Sequence, residues 1–165
     1  SNYATGIQHM VITGASAYLG FEDKLLDWDL TEGKIRDSIV LFNAHHYGAT
    51  SYASARNLWV NDRYIVVETD DSGIQVFDEA THAALRRIDT PSGAVRADIG
   101  LDRLLVTKPD LVEVYAISTG RKLETIIAPC EGFSGNTAVW KDAQGYLQMA
   151  VAGTGKNIYH YCLQL

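Results

Sequence analysis

The chain has 165 residues, 47% of them hydrophobic, enough for one well-buried core and too little for two comfortable ones. Its formal net charge of -6 argues against a general nucleic-acid grip, because such binding draws its affinity from clustered Lys and Arg. The imbalance sits in one half: up to His82 there are 5 basic against 12 acidic residues and from Ala83 onward 9 against 8, so a local basic patch would have to use Arg86, Arg87, Arg96, Arg103 and Lys108.

In chain order, residues 9–14 (HMVITG) read as a strand, 15–23 as a long loop, 24–29 as a strand ending in Trp28-Asp29, and 34–42 as the next strand. Residues 43–53 (NAHHYGATSYA) are small, polar and aromatic without periodicity and read as a long connection, which usually has a task. A second unit follows, with strands at 54–60 and 64–69, a turn at 70–73, and a hairpin to Ile88. The third repeats that plan with strands at 94–100 and 104–107 and a hairpin at 111–127. The fourth has strands at 136–141, 146–152 and 157–163, and no outer strand after the third. Short strands separated by Gly, Asp and Asn turns make the expected class all-β.

The chain repeats itself. Residues 25–39, 74–88 and 111–127 each run from alternating apolar positions into an aromatic, a short Thr- or Gly-containing turn and a second alternating strand, with Trp28, Phe77 and Tyr115 in register. Asp62, Asp102 and Asp142 fall 40 residues apart, each in the turn between the first two strands of its unit. A period of about 40 is the signature of a propeller or solenoid. The expected units are residues 1–42, 43–89, 90–128 and 129–165 of a single propeller segment.

This arrangement resembles the WD-repeat β-propeller family, whose four-stranded antiparallel blades carry Trp-Asp at the end of the third strand. Trp28-Asp29 matches that dipeptide, Phe77-Asp78 matches it with a different ring, and Tyr115-Ala116 and Tyr161-Cys162 keep the aromatic. The resemblance implies a hydrogen-bonded blade network, which falls here on His45 or His46, Thr69, Asp71 and Phe77, with Trp28 at the aromatic position of the first unit. Phe77 has no N–H to donate, so the network is expected to be incomplete. In the third unit only Thr107 and Asp110 correspond. Propellers of this family close by lending an N-terminal strand to the last blade, and a chain ending at a third strand has that form.

At about 40–45 residues per repeat the length supplies at most four blades. That fits a compact four-bladed ring, the C-terminal part of a larger propeller, or a half-propeller pairing with another chain. A start at Ser-Asn-Tyr, directly before repeat-like sequence, makes the second the expected arrangement.

No catalytic or metal-binding constellation stands out. His45 and His46 are adjacent on an extended stretch and point to opposite sides, so one serves the blade network more readily than both serve an ion. Cys130, His160 and Cys162 lack a fourth zinc ligand with sensible spacing. Asp70-Asp71 and Asp27/Asp29 read as turn and strand carboxylates. Residues 153–156 (GTGK) lack the spacing and the following helix of a phosphate loop. Trp59 and Trp140 read as packing between blades. Two distant cysteines favour a reducing compartment, and no segment reads as membrane-spanning or as a secretion signal.

The resemblance therefore implies a non-enzymatic interaction scaffold, intracellular in cytoplasm or nucleus, without cofactor or metal, binding a protein or peptide through its loop face. Candidate contacts are Tyr18, Phe21, His45, Tyr47, Arg56 and Phe133, with Tyr47, Tyr52 and Arg56 forming one recognition surface. The pattern over residues 61–78 (NDRYIVVETDDSGIQVFD) looks like the substrate-recognition propellers of F-box ubiquitin-ligase receptors, and subunits of other multiprotein complexes look similar. The competing expectation is a bacterial-type propeller enzyme, lactonase-like or quinone-dependent.

Overall fold

The computed structural model describes residues 9–41, 54–70 and 73–165. Among them are fifteen β-strands in four antiparallel sheets and no helix, so none is long and apolar enough to cross a membrane. The chain divides into two compact units, Ser1–Asp89 and Thr90–Leu165.

In the first unit, β1 (His9–Thr13), β2 (Ser16–Phe21), β3 (Lys24–Asp29) and β4 (Lys34–Val40) form one sheet in chain order. A second consists of β5 (Ala55–Val60), β6 (Tyr64–Thr69), β7 (Gly73–Asp78) and β8 (Ala84–Asp89). Tyr18, Leu25, Ile39 and Leu41 pack with Leu58, Ile65, Val67 and Phe77 between these sheets as one core. β6 is buried at every position, which is why YIVVET reads as an apolar run rather than an alternation.

In the second unit, β9 (Ala94–Asp98), β10 (Arg103–Thr107), β11 (Leu111–Tyr115) and β12 (Lys122–Ile127) form the third sheet. The fourth holds β13 (Phe133–Lys141), β14 (Leu147–Gly153) and β15 (Ile158–Leu163), the three strands expected of the last unit. Leu105, Val112, Val114, Val139, Met149 and Leu163 are among its core.

Two expectations fail. Residues 15–23 are not a loop: Gly14 takes φ +55, the chain reverses within two residues, and β2 pairs with β1 from Thr13↔Ser16 to His9↔Gly20. Because β2 is buried on both faces, its sequence shows no alternation. Trp140 is not packed away, being 40% exposed on β13.

The hairpin repeat is reproduced in three dimensions. Each copy has a register shift just before its aromatic, at Asp27/Trp28, Val76/Phe77 and Val114/Tyr115. Each then makes the same tight turn, closed by a backbone N–H to the carbonyl four residues back: Gly33 to Asp29, His82 to Asp78, and Gly120 to Ala116, all at 2.8 Å. The closing residue has positive φ in all three, 67° at Gly33, 61° at His82 and 73° at Gly120.

That turn also explains the aspartate of the repeat. Asp29 Oδ1 accepts from the Thr31 and Glu32 amides, and Asp78 Oδ1 from the Thr81 amide and hydroxyl, satisfying turn donors the backbone leaves over. Ala116 cannot do this. In the third sheet Asp102, reaching over from the β9–β10 turn, accepts instead from the Ser118 amide at 2.7 Å and its hydroxyl at 2.5 Å.

Candidate functional site

The candidate contact residues scatter. Tyr18 is 1% and Phe133 2% exposed, so neither ring reaches a partner: β2 is an interior strand, and Phe133 opens β13 facing the second unit's core. Both assignments are corrected. Phe21 is half-buried at the end of β2, and Arg56 is exposed on β5. His45, Tyr47, Tyr52, His46 and Asp71 lie outside the described residues. Of the implied network, Thr69 is buried and donates to the Gly73 carbonyl at 3.0 Å, Phe77 is a core residue, and Trp28 is half-buried on the first sheet. Thr107 is buried, and its hydroxyl has no hydrogen-bond partner among the described residues. Arg103, offered for a basic patch, is 6% exposed and instead donates to the Asp102 and Gln164 carbonyls at 2.9 Å, tying down the end of the chain.

The densest polar cluster lies within the first unit and involves residues that sequence reasoning passed over. His82 Nδ1 lies 2.6 Å from Asp37 Oδ2, and its Nε2 lies 3.2 Å from the Tyr18 hydroxyl and 3.6 Å from Asp27 Oδ2. Tyr18 donates to Glu79 Oε1 at 3.0 Å. With that hydrogen committed to Glu79, both ring nitrogens of His82 face oxygen atoms. Arg36 is the extra residue of the β4 bulge, since Ile35 pairs with Trp28 and Asp37 with Asp27. The bulge aims it across the sheet, where it bonds Asp29 at 2.9 Å and Ser16 Oγ at 3.2 Å, with Asp27 at 3.7 Å. Asp27 is 2% exposed, and its Oδ1 has no hydrogen-bond partner among the described residues.

Burial and the bond to Glu79 push the Tyr18 hydroxyl well above its ordinary range, so it stays a donor. The hydrogen bond from His82, then the Ser38 amide, hold Asp37 below the usual carboxylate value. Backbone and Arg36 hydrogen bonds do the same for Asp29. Chemically the cluster is a latch, holding the β7–β8 turn against the first sheet. The available sequence signal was His82 standing where the other two repeats have Gly33 and Gly120. A side chain held at positive φ costs about 1 kcal/mol, so something must offset it.

The second unit builds a different kind of site at its loops. Glu131, in the connection from β12 to β13, puts its carboxylate into the β14–β15 turn, where the Gly155 amide donates at 3.1 Å, Asn157 Nδ2 at 3.3 Å, and the Tyr159 hydroxyl closely. The Thr154 hydroxyl donates closely to the Glu131 carbonyl. Bare glycines make the room: a Cβ on Gly153 or Gly155 would lie 2.1 or 2.4 Å from the carboxylate oxygens. The bond from Tyr159 is the main cause holding Glu131 below its ordinary value. The GTGK stretch thus does receive an anion, and the anion is the chain's own. The β10–β11 turn joins in, the Pro109 carbonyl accepting from the Phe133 amide at 2.9 Å. Three connections are tied into one platform that presents Cys130 and Thr154–Asn157 to solvent.

No protein-family model matches the sequence, and no curated protein does. Solved structures match the fold. The computationally designed Ika4 protein aligns with TM-score 0.61 and 16% identity over 99% of this chain and 94% of its own. Sqt1 of Saccharomyces cerevisiae gives 0.69 and 11%, over 92% of this chain and 42% of its own. The dihydro-heme d1 dehydrogenase NirN gives 0.70 and 16%, over 96% and 36%. This chain therefore spans nearly all of the first and less than half of the other two. At such identities the likeness is one of fold, and that fold is all-β, made of the antiparallel sheets of a β-propeller.

Proposed function

We propose that this chain is a WD-repeat-like propeller segment that acts as a non-enzymatic scaffold, binding a protein or peptide through its loops. The supporting observation is the tied platform of the second unit. Binding loops ordered before contact lose less conformational entropy on association, and here an internal carboxylate, two glycines and a tyrosine order them. The polar cluster of the first unit acts instead as a latch between its two sheets. Two exposed free thiols, Cys130 and Cys162, suit an intracellular setting, cytoplasmic or nuclear. Within this class, substrate recognition in an F-box receptor and service as a subunit of another complex both use such a face.

The two cysteines also supply the test. A photo-crosslinker on Cys130, in a chain carrying Cys162→Ser, reports on the platform; one on Cys162, with Cys130→Ser, reports on the fourth sheet. The expected result is one partner protein captured from Cys130 in cells, whose purified form binds the chain and loses affinity at least tenfold on Lys156→Glu. A captured protein that binds Lys156→Glu and wild type equally would defeat the platform reading.

A further inference from the structure

The seat that Glu131 fills has walls that stand without it. The β14–β15 turn is closed by the Gly153 amide on the Asn157 carbonyl at 2.9 Å and tied back by the Thr154 amide on the Gly132 carbonyl at 3.1 Å. The Tyr159 ring packs edge-on against buried Phe133, with ring centroids 6.2 Å apart. None of these contacts uses the Glu131 carboxylate. The Gly155 amide, the Asn157 side-chain amide and the Tyr159 hydroxyl are therefore preorganised donors, held in place whichever carboxylate they serve. The backbone of Glu131 has a tether of its own, since its carbonyl accepts closely from the Thr154 hydroxyl, and only side-chain torsions are left to move. Glu131 is half-buried and Thr154–Asn157 are exposed, so the seat opens to solvent.

Lys156 supplies an independent observation. It stands between two of the donors, Gly155 and Asn157, exposed and without an ion pair among the described residues. Glu131 bonds on either side of it and leaves its charge unused. The three tied connections carry Lys108, Asp110, Glu131 and Lys156, a zero sum, so an arriving anion meets no excess of negative charge.

We infer that this seat is an exchangeable carboxylate site: Glu131 is a tethered plug, and an Asp or Glu side chain of a partner displaces it, taking the same three donors together with Lys156. That the incoming carboxylate belongs to a protein partner rests on the platform reading above; the seat itself does not. The donors divide between two oxygens, Tyr159 and Asn157 on Oε1 and Gly155 on Oε2, which is the pattern of a carboxylate. Gly153 and Gly155 close in on both oxygens, so the bulkier tetrahedral phosphate fits less well. A side chain tethered this near competes as a local ligand at roughly millimolar concentration. A seat plugged about nine-tenths of the time binds a rival about tenfold more weakly than an open one.

The test is an NMR titration of the full chain with sodium acetate at constant ionic strength, following the Gly155 amide and the Asn157 side-chain amide. In Glu131→Ala both signals should move and saturate, whereas wild type should need about tenfold more acetate for the same shift. Adding Tyr159→Phe to Glu131→Ala removes one donor and should weaken acetate binding about threefold. Glu131→Gln keeps the reach of the plug and drops its charge, so it carries the test if circular dichroism shows that the alanine chain has lost strand content. Acetate should bind it more tightly than wild type. Three results overturn the proposal: no saturable shift in either Glu131 variant, the same response in wild type and variant, or a response to phosphate with none to acetate. The partner is tested separately, since the protein captured from Cys130 should bind Glu131→Ala more tightly than wild type. Equal binding would overturn the exchange while leaving the platform as the binding face. Failure to capture any partner would count against the platform reading, and the acetate titration would still decide the seat.

Discussion

The first and third sheets put opposite chemistry at the same register position. One residue before the aromatic of the repeat, the first sheet pairs Asp27 with Tyr18, and the third pairs Val114 with Leu105. All four side chains are buried. The third sheet spends this site on apolar contact alone. The first sheet spends it on a cluster that draws in Arg36, Asp37, Glu79 and His82 and leaves Asp27 Oδ1 without a partner among the described residues. The repeat therefore specifies backbone and register, while the packing at its most buried position is free to differ from sheet to sheet.

The largest effects come from emptying that position. Leu105→Ala is expected to cost about 2–5 kcal/mol and Tyr18→Ala about 3–5 kcal/mol in urea unfolding, since both delete fully buried bulk. Those values alone do not separate the sheets. The pair Tyr18→Leu with Asp27→Val does, because it gives the first sheet the third sheet's chemistry. Replacing a buried ionic group by apolar residues of similar volume is neutral or stabilising by about 1–4 kcal/mol. The double variant should therefore be at least as stable as wild type. A loss above about 1 kcal/mol would show that the cluster stabilises the first unit on balance.

The smaller comparison lies in the turns. Gly120 and His82 occupy the same position at φ 73° and 61°, but only His82 has a side chain to use. Gly120→Ala should cost about 1 kcal/mol from backbone strain. His82→Ala keeps the strain and loses the bonds to Asp37 and Tyr18, for about 1–2 kcal/mol. His82→Gly loses the same bonds but relieves the strain, so it should be about 1 kcal/mol more stable than His82→Ala. Equal stability of the two variants would remove the claim that His82 is held against a backbone cost.

The sequence made the hairpins and three of the four sheets legible because their outer strands alternate and their turns carry Asp, Thr and Gly. β2 escaped for a physical reason: SAYLGF is buried on both faces and gives no period to read. Tyr18 and Phe133 were placed on a binding surface because an aromatic near a turn looks the same in sequence whether it faces solvent or core. The latch and the platform were illegible because their bonds join residues far apart in the chain, 45 positions between Asp37 and His82 and 28 between Glu131 and Tyr159. His82 was the exception, conspicuous as the one copy of the turn without its glycine.

The least disruptive comparison is acid titration of the two anchoring carboxylates, Asp37 in the latch and Glu131 in the platform. Both lie below their ordinary values of 3.8 and 4.5, Asp37 chiefly through His82 and Glu131 chiefly through Tyr159. A carboxylate whose folded pKa is depressed contributes stability that is fully present above its unfolded value and is lost as pH falls through the folded one. Both anchors therefore hold at neutral pH and release only below about pH 4. Carboxyl carbon shifts followed by NMR would give each midpoint separately. His82→Ala should return Asp37 toward 3.8 and leave Glu131 unmoved, and Tyr159→Phe should return Glu131 toward 4.5 and leave Asp37 unmoved. Movement of both midpoints with either substitution would mean that latch and platform are one cooperative network rather than two local anchors.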